Sequence, residues 1–418
     1  MICRPGRLTW GNGESEVRVL LTTWGSRGDV EPLAGLAVAL RGLGVEALVC
    51  APPDEDFVRL LARADIPHVP LGPSVRSVVT GPKPTARDAF QLAPALVAAR
   101  FETLGAVAPG CDALLATGLM PAGARDVADK LGIRYIYGSF HIFGLPSRHF
   151  APGMRPGTPS PREETDKRVL WQQDAQRVND LYGPALNSHR AAIGLPPVDN
   201  VRDHVFTGRP WLAADATLCP SQGMTDLDLV QTGAWILPDD RPLPDDLDAF
   251  LDAGAPPVYV GFGSMAAHAP EGVARVAIEA ARAHGRRVVL ASGWAGLAPV
   301  DDAGDCFVVG EVNQQALFGR VAAVVHHGGA GTTTTTARAG APQVVVPQIA
   351  DQPYWAGRVA DLGIGVAHEG STPTVDSLSA ALGTALAPET RARAGAVAGT
   401  IRDDGATVAA KLLLDAAS

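Results

Sequence analysis

The chain has 418 residues, of which 46% are hydrophobic, so it can build two or three domains with large cores. Its formal net charge is −9, which argues against a nucleic-acid partner because surfaces that bind nucleic acids are basic. The sequence has no apolar run long enough to span a membrane and no continuous hydrophobic segment of a secretory signal, so we predict a cytoplasmic protein without a membrane partner.

Changes in composition and hydrophobic periodicity divide the chain into five segments. Two long segments alternate short apolar runs with helical patterns, and a stretch rich in proline and aspartate separates them. We predict a disordered or mis-annotated leader at residues 1–16, a Rossmann-like domain at 17–231, a linker at 232–248, a second Rossmann-like domain at 249–400, and a C-terminal helix at 401–418.

The first long segment opens with a strand, a glycine-rich turn, a helix and a second strand. An almost continuous apolar run is typical of a parallel strand that is covered on both faces. This order indicates a βαβ unit and hence a doubly wound parallel sheet. The predicted strands are 17–22, 44–51, 114–116 and 135–137, and the predicted helices are 31–43 and 121–131.

Two stretches of this segment, residues 74–86 and 145–166, interrupt the alternation. Both are rich in proline, glycine and small or charged residues, and the second carries five prolines, so no regular element can run through it. Long irregular loops in a compact domain are either functional or surface loops without a functional role, and the sequence alone leaves both interpretations open.

The second long segment repeats the strand-and-helix alternation without close sequence repetition. Predicted strands at 257–260, 287–291 and 306–309 surround a predicted helix at 272–284. An apolar strand at 321–325 then leads into a turn with glycines at 328, 329 and 331, followed by five threonines.

That glycine-rich turn predicts a phosphate site. The free N–H groups and the positive end of a helix attract an anion, and glycine lets the backbone approach it closely. His326, at the end of the strand, can donate a further hydrogen bond, and we expect a hydroxyl from Thr332 or Thr333. The alternative is a tight strand-to-helix turn without a ligand. For the adjacent His327 we favour a core histidine.

A carboxylate and an amide follow the next buried strand, at Asp351 and Gln352. Side by side on a loop, these groups suit hydrogen bonding to the hydroxyls of a sugar. The common dinucleotide and P-loop patterns do not occur around the turn, because the third glycine and the lysine that they require are missing.

Together these motifs resemble the donor site of family 1 glycosyltransferases with the GT-B fold, and in particular the branch that glycosylates vancomycin- and teicoplanin-type glycopeptide antibiotics. The resemblance rests on residues 326–333 with Asp351 and Gln352, on 25–29, on 187–190 and on 231–238. It implies two Rossmann-like domains with parallel sheets that face each other across a cleft, and a last helix that crosses back onto the N-terminal domain.

The resemblance also implies a role for individual residues in binding the nucleotide sugar. It assigns the base of the nucleotide to the loop at Val312, Asn313 and Gln314, partly through backbone atoms, and the loops 74–86 and 145–166 to the acceptor pocket. Ser264 is expected to be a second donor to phosphate or ribose, and Arg27 a neighbour of the phosphates. The remaining expected donor-site residues are His326, Gly328, Gly329, Ala330, Gly331, Thr332, Thr333, Asp351 and Gln352.

Asp29 is the candidate catalytic base, with Ser26 beside it. The sequence alone leaves a second role open, because an aspartate just before a helix also serves as its N-cap. The resemblance favours the base, which would take the proton of an acceptor hydroxyl on the N-terminal side of the cleft.

The activity that the resemblance implies is inverting transfer of a hexose to a phenolic hydroxyl of a glycopeptide aglycone. Our best expectation is glucose from UDP-glucose, with N-acetylglucosamine as another possibility, attached to the central hydroxyphenylglycine at position 4. Alternatives are a dTDP-deoxysugar donor, another natural-product acceptor, a GT-B sugar-nucleotide epimerase, or a non-catalytic partner protein.

We expect a monomer that needs no metal and no cofactor beyond its co-substrate. The five cysteines are scattered and include no C-x-x-C pair, so they indicate neither a zinc site nor a disulfide framework. The D-x-D sequence at residues 226–228 matches a pattern that metal-dependent transferases of another fold use, but such matches are common in an aspartate-rich segment.

Overall fold

The computed structural model describes residues 17–79, 86–153, 166–263, 272–293, 298–299, 301 and 303–415. The predicted leader at 1–16 lies outside these residues, as do parts of the two proline-rich loops. The described helices are α1 Arg27–Gly42, α2 Glu55–Arg63, α3 Val75–Val79, α4 Ala86–Val107, α5 Ala124–Leu131, α6 Lys167–Ala192, α7 Val201–Phe206, α8 Asp245–Asp252, α9 Val273–Ala283, α10 Gln314–Leu317, α11 Ala330–Arg338, α12 Gln352–Asp361, α13 Val375–Ala385, α14 Pro388–Ala398 and α15 Gly405–Asp415.

Two separate parallel sheets organise the chain. The first has the strand order β3-β2-β1-β4-β5-β6-β7 and the second β10-β9-β8-β11-β12-β13. The strands are β1 Arg18–Thr22, β2 Glu46–Ala51, β3 His68–Pro70, β4 Ala113–Ala116, β5 Arg134–Ser139, β6 Trp211–Leu212, β7 Val230–Gln231, β8 Val258–Gly261, β9 Val288–Ala291, β10 Cys306–Val309, β11 Ala323–His326, β12 Gln343–Val345 and β13 Gly365–Ala367.

Each sheet reverses its strand order beside its first strand. In the first sheet β1 lies between β2 and β4, and in the second β8 lies between β9 and β11. Ligands of open α/β sheets bind at such reversals, at the carboxyl ends of the strands. The turns after β1 and β11 therefore lie where a parallel sheet places its ligands.

Helix α1 begins four residues earlier than the sequence analysis predicted. Ser26 is its N-cap, and the Ser26 hydroxyl accepts a hydrogen bond of 3.3 Å from the N–H of Gly28. Asp29 consequently lies inside the first turn, so the alternative that Asp29 caps this helix is wrong. Helix α8 begins at Asp245, within the predicted linker 232–248.

The C-terminal helix α15 belongs to the core of the first sheet. Its side chains Ala406, Ala409, Ala410 and Leu413 are buried in one hydrophobic cluster with those of α1 and β1. The first residue of α15, Gly405, packs tightly against the chain that leaves β7. A Cβ added to Gly405 would lie 2.4 Å from the carbonyl oxygen of Ala234. The expected return of the last helix to the first domain is thus observed.

We expect Gly405→Ala to lower the free energy of unfolding by about 1–3 kcal/mol, because the methyl group meets backbone that cannot move aside. The matched control is Gly395→Ala in α14, where an added Cβ meets no atom within 4 Å. That control should be neutral or raise stability by about 0.5–1 kcal/mol. Denaturant titration of both variants checks the contrast, and equal effects would contradict this packing of α15.

Candidate active site

The turns that follow β1 and β11 face each other across the two domains. Helices α1 and α11, which begin at these turns, are in contact. The carboxyl ends of both sheets therefore border one cleft, and the side chains on the two turns can act on the same ligand.

Asp29 contributes an unusual carboxyl group to this cleft. Its side chain folds back over Gly25, where an added Cβ would lie 2.1 Å from Asp29 Oδ2. The hydroxyl of Ser26 lies 3.4 Å from the same oxygen and donates to it. Burial raises the pKa of Asp29 to about 7, the nearby Asp351 carboxylate contributes in the same direction, and hydrogen bonds from Ser26 oppose the rise. A carboxyl group with a near-neutral pKa is suited to accept and release a proton.

His326 ends β11, as predicted, but its ring contacts differ from the predicted ones. Its ring is completely buried, its Nδ1 accepts a 3.1 Å hydrogen bond from the N–H of Gly328, and its Nε2 lies 2.9 Å from Gln343 Oε1. Burial lowers the pKa of His326 to about 3, so the ring stays neutral. With both ring nitrogens bonded inside the protein, His326 has none to offer a phosphate, and the expected direct contact does not agree with its geometry.

The neighbouring His327 is half-buried, and only its missing hydrogen bond within the described part of the chain departs from the predicted satisfied core histidine. Its ring is half-buried beside Gly263 and Gly329, where added Cβ atoms would lie 3.2 Å and 2.8 Å from ring atoms. Among the described residues, His327 Nδ1 has no hydrogen-bond partner. Burial lowers the pKa of His327 to about 4, against the effect of Asp351. His327 is therefore a neutral imidazole in the turn after β11, and its buried Nδ1 is unpaired within the described residues.

The turn itself presents backbone donors to the cleft. Gly328 has a φ of +92°, and an added Cβ there would lie 2.7 Å from Val345 Cγ1, so this position requires glycine. Gly329 is the N-cap of α11, which leaves the N–H groups of the first turn without helical partners. The hydroxyl of Thr333 is buried and donates to Gly329 O at 2.9 Å, whereas Thr332 is half-buried.

Asp351 and Gln352 lie at the start of α12, after a residue with left-handed backbone. Ala350 has a φ of +57°, a strained conformation of the kind found at functional sites. Asp351 Oδ2 accepts a 2.7 Å hydrogen bond from Trp355 Nε1, which orients the half-buried carboxylate. The Gln352 side-chain oxygen accepts from Gln348 N at 2.7 Å and from Ile349 N at 3.0 Å, so it shapes the loop.

The side chains of the predicted base-binding loop are also engaged within the protein. Asn313 Nδ2 donates to the carbonyl oxygens of Asp239 and Arg241 at 2.7 and 2.8 Å, and Gln314 Nε2 donates to the Tyr259 hydroxyl at 3.1 Å. Val312 is partly buried in the adjoining hydrophobic cluster. The amide groups of Asn313 and Gln314 are thus already engaged inside the protein, and the expected contact of this loop with a nucleotide base stays a prediction.

The predicted phosphate neighbour Arg27 is engaged in ion pairs. Arg27 does not point to an open phosphate site, because it pairs with Glu31 at 2.6 Å and with Glu311 at 3.1 Å. Ser264 lies outside the described residues. Sequence reasoning missed Glu311, as well as the hydroxyls of Thr22, Thr23 and Thr117, which are buried and, within the described part of the chain, lack a hydrogen-bond partner.

The described residues include no group of three or more His, Cys, Asp or Glu side chains that could hold a metal ion. The aspartates of the D-x-D sequence pair with arginines instead, Asp226 with Arg148 and Asp228 with Arg209. None of the helices in the described ranges is both long and apolar enough to cross a membrane.

Comparison with known proteins gives concordant matches. The family described as "Erythromycin biosynthesis protein CIII-like, C-terminal domain" matches residues 303–409. Three relatives from Amycolatopsis orientalis match 96% of this chain and 98% of their own length: glycosyltransferase GtfE at 59% identity, vancomycin aglycone glucosyltransferase at 57% and dTDP-epi-vancosaminyltransferase at 52%.

Solved structures support the fold. The crystal structure of glycosyltransferase VinC in complex with dTDP superposes with a TM-score of 0.68 at 20% sequence identity, and the match covers 96% of this chain and 99% of that one. Identity above 50% to whole-length relatives leaves no room for a different family. The chain therefore belongs to the glycopeptide-antibiotic glycosyltransferases and is an enzyme of the GT-B fold.

Proposed function

We propose that this enzyme transfers a hexose, glucose from UDP-glucose, to a phenolic hydroxyl of a glycopeptide aglycone with inversion at C1. The observation that carries the proposal is the Asp29 carboxyl group with a pKa of about 7 at the cleft, opposite the start of α11. The relative named vancomycin aglycone glucosyltransferase, 57% identical over 96% of the chain, supports the sugar and the acceptor. We further propose the central hydroxyphenylglycine, position 4, as the attachment site.

In the proposed reaction, Asp29 takes the proton of the phenol while the phenolic oxygen forms a bond to C1 of the sugar. The bond between C1 and the β-phosphate oxygen breaks, and its electron pair leaves with UDP. An ordinary phenol, by analogy with tyrosine, has a pKa near 10, so a carboxylate with a raised pKa is better matched to it than an ordinary aspartate. Ser26 orients Asp29 through its hydroxyl.

The leaving phosphate gains negative charge as the bond breaks, and donors aimed at that charge lower the barrier. We assign this role to the backbone N–H groups at Ala330, Gly331 and Thr332, to the Thr332 hydroxyl, and to His327 in place of His326. A neutral imidazole supplies one N–H without competing for the acceptor's proton. Asp351 and Gln352 are proposed to bind the sugar hydroxyls, and the backbone around Val312 to bind the base.

A second donor has specific support. The relative named dTDP-epi-vancosaminyltransferase is 52% identical over the same share of the chain, so a dTDP-deoxysugar is the competing co-substrate. The monomeric state, the cytoplasmic location and independence from metal remain predictions.

Incubating the enzyme with UDP-glucose, UDP-N-acetylglucosamine and dTDP-deoxysugars against a set of glycopeptide aglycones, and measuring product masses, tests the donor and the acceptor together. Fragmentation of the product locates the sugar.

Asp29→Asn should lower kcat by about 10²–10⁴-fold, because the amide keeps the shape of the side chain but cannot accept a proton. In the wild type, kcat/KM should rise with pH through about 7 as Asp29 ionises. Asp376→Asn is the control, since Asp376 also lies in the first turn of a helix but is exposed. Turnover of Asp29→Asn close to that of the control would exclude Asp29 as the base.

The same substitution should raise stability at alkaline pH. The folded state holds the Asp29 pKa above that of an unfolded chain, so its contribution to stability is complete below the normal value of 3.8 and is lost as pH rises through about 7. Asp29→Asn should thus unfold at higher denaturant concentration than wild type at pH 8, with the difference vanishing near pH 4. A variant that is less stable at pH 8 would show that its lost activity reflects damage to the fold.

Alanine substitutions of His326 and His327 should differ in their effects on kcat and on the free energy of unfolding. His327→Ala should lower kcat by roughly 10²–10³-fold with little change in the free energy of unfolding, because Nδ1 of this ring makes no hydrogen bond within the described residues that the substitution could break. His326→Ala should lower the free energy of unfolding by about 1–3 kcal/mol, since it leaves buried partners without hydrogen bonds. The measurements are kcat and denaturant titration for both variants. A large loss of kcat in His326→Ala and a loss of stability in His327→Ala would indicate that His326 contacts the phosphate.

Activity should survive EDTA, because the start of α11 and His327 take the place that a divalent cation has in metal-dependent transferases. The measurement is the initial rate before and after chelation and gel filtration. Complete loss of activity that magnesium or manganese restores would contradict this expectation.

A further inference from the structure

A single carboxylate joins the two domains beside the cleft. Glu311, just after β10, places its Oε1 2.7 Å from Arg63, 3.1 Å from Arg27 and 3.6 Å from Arg241. Arg27 and Arg63 lie on α1 and α2 of the first domain, and Arg241 lies on the chain that connects the domains. We call these four residues the Glu311 cluster.

The position of Glu311 in the chain gives the cluster its significance. Glu311 immediately precedes the loop proposed to bind the nucleotide base, and Asn313 in that loop is fixed to the connecting chain through Asp239 O and Arg241 O. At its other end the cluster includes Arg27, which lies in the same turn as Ser26 and two residues from Asp29. One ionic cluster therefore touches both the nucleotide loop and the turn that carries the base.

The carboxylate at the centre of the Glu311 cluster is ionised at neutral pH. Partial burial works to raise the pKa of Glu311, but the charges of Arg27 and Arg63 lower it, so this carboxylate is ionised at neutral pH. Glu311 and Arg27 are each about one-third exposed, at 37% and 36% of the side-chain surface. An isolated ion pair at such exposure contributes little, whereas a network of several charges around one carboxylate contributes more.

We propose that Glu311 is a positioning residue, which fixes the position of the turn that carries Asp29 relative to the bound nucleotide sugar. Transfer requires the acceptor oxygen to approach C1 within a few tenths of an ångström of one geometry, and Asp29 and the donor are held by different domains. The ion pairs of Glu311, next to the nucleotide loop, with Arg27 and Arg63 fix this relative placement. The proposal rests on the proposed function for its kinetic consequence.

The test compares Glu311→Gln with Glu279→Gln. Glu279 pairs with Arg275 at 3.1 Å within α9 and has similar exposure, 41%, but its ion pair does not join the domains. At saturating donor and acceptor, kcat of Glu311→Gln should fall about 3- to 10-fold, while the dissociation constant of UDP or dTDP, whichever the wild type binds, changes less than twofold. Glu279→Gln should match wild type in both.

Salt supplies an independent readout. Raising sodium chloride from about 0.05 to about 0.5 M shortens the screening length severalfold and weakens exposed ion pairs. The wild-type kcat should approach that of Glu311→Gln as salt rises, whereas a purely structural defect would keep the ratio constant. A kcat equal to that of Glu279→Gln, a nucleotide affinity that falls as far as kcat, or a ratio that does not change with salt would each overturn the proposal.

Small-angle scattering separates this proposal from the proposed function. If no donor and acceptor pair supports transfer by the wild type, the proposed function fails, and the cluster is still tested by the radius of gyration. A larger radius for Glu311→Gln than for wild type and Glu279→Gln supports a link between the domains. Equal radii for all three proteins under those conditions would overturn it.

Discussion

A buried chain of hydrogen bonds below the phosphate turn sets the shape on which the cleft depends. The Gly328 N–H donates to His326 Nδ1 at 3.1 Å, His326 Nε2 meets Gln343 Oε1 at 2.9 Å, and Gln343 Nε2 donates to Thr333 O at 3.3 Å. These bonds connect β11, the turn, β12 and α11 inside a core without access to water. Losing one partner there leaves a desolvated polar group, so the arrangement allows little variation in the turn. The direction of the first N–H groups of α11 follows from this buried imidazole.

The electrostatics of the cleft depend on the domains being together. The largest cause of the raised pKa of Asp29 is burial, and the next unfavourable contribution comes from Asp351 on the other domain. Separation of the domains would remove this acidic neighbour, so the pKa of Asp29 would lose the part of its rise that Asp351 causes. The basicity of Asp29 therefore depends in part on the second domain, through Asp351.

The sequence predicted the sheets well and the side-chain roles less well, for physical reasons. Continuous apolar runs mark buried parallel strands, so β1, β8, β9 and β10 were predicted within a residue or two of their observed ends. The start of α1 was missed because one serine hydroxyl decided it. The sequence analysis gave the phosphate contact to His326 and not to His327, because the apolar run of β11 is buried on both faces and does not show which ring points inward. The contacts of Glu311 depend on how two domains sit together, which no local pattern encodes.

The burial of α15 in the first domain has a consequence for how the protein is made. Ala406, Ala409, Ala410 and Leu413 complete the hydrophobic cluster of β1 and α1, yet they are synthesised about 175 residues after β7. At about 5–20 residues per second, roughly 10–40 s pass between synthesis of β7 and synthesis of α15. For that time the nascent first domain carries an uncovered apolar groove along α1. Such a groove is a natural site for a chaperone, and a truncated product that lacks α15 would carry it permanently into aggregation.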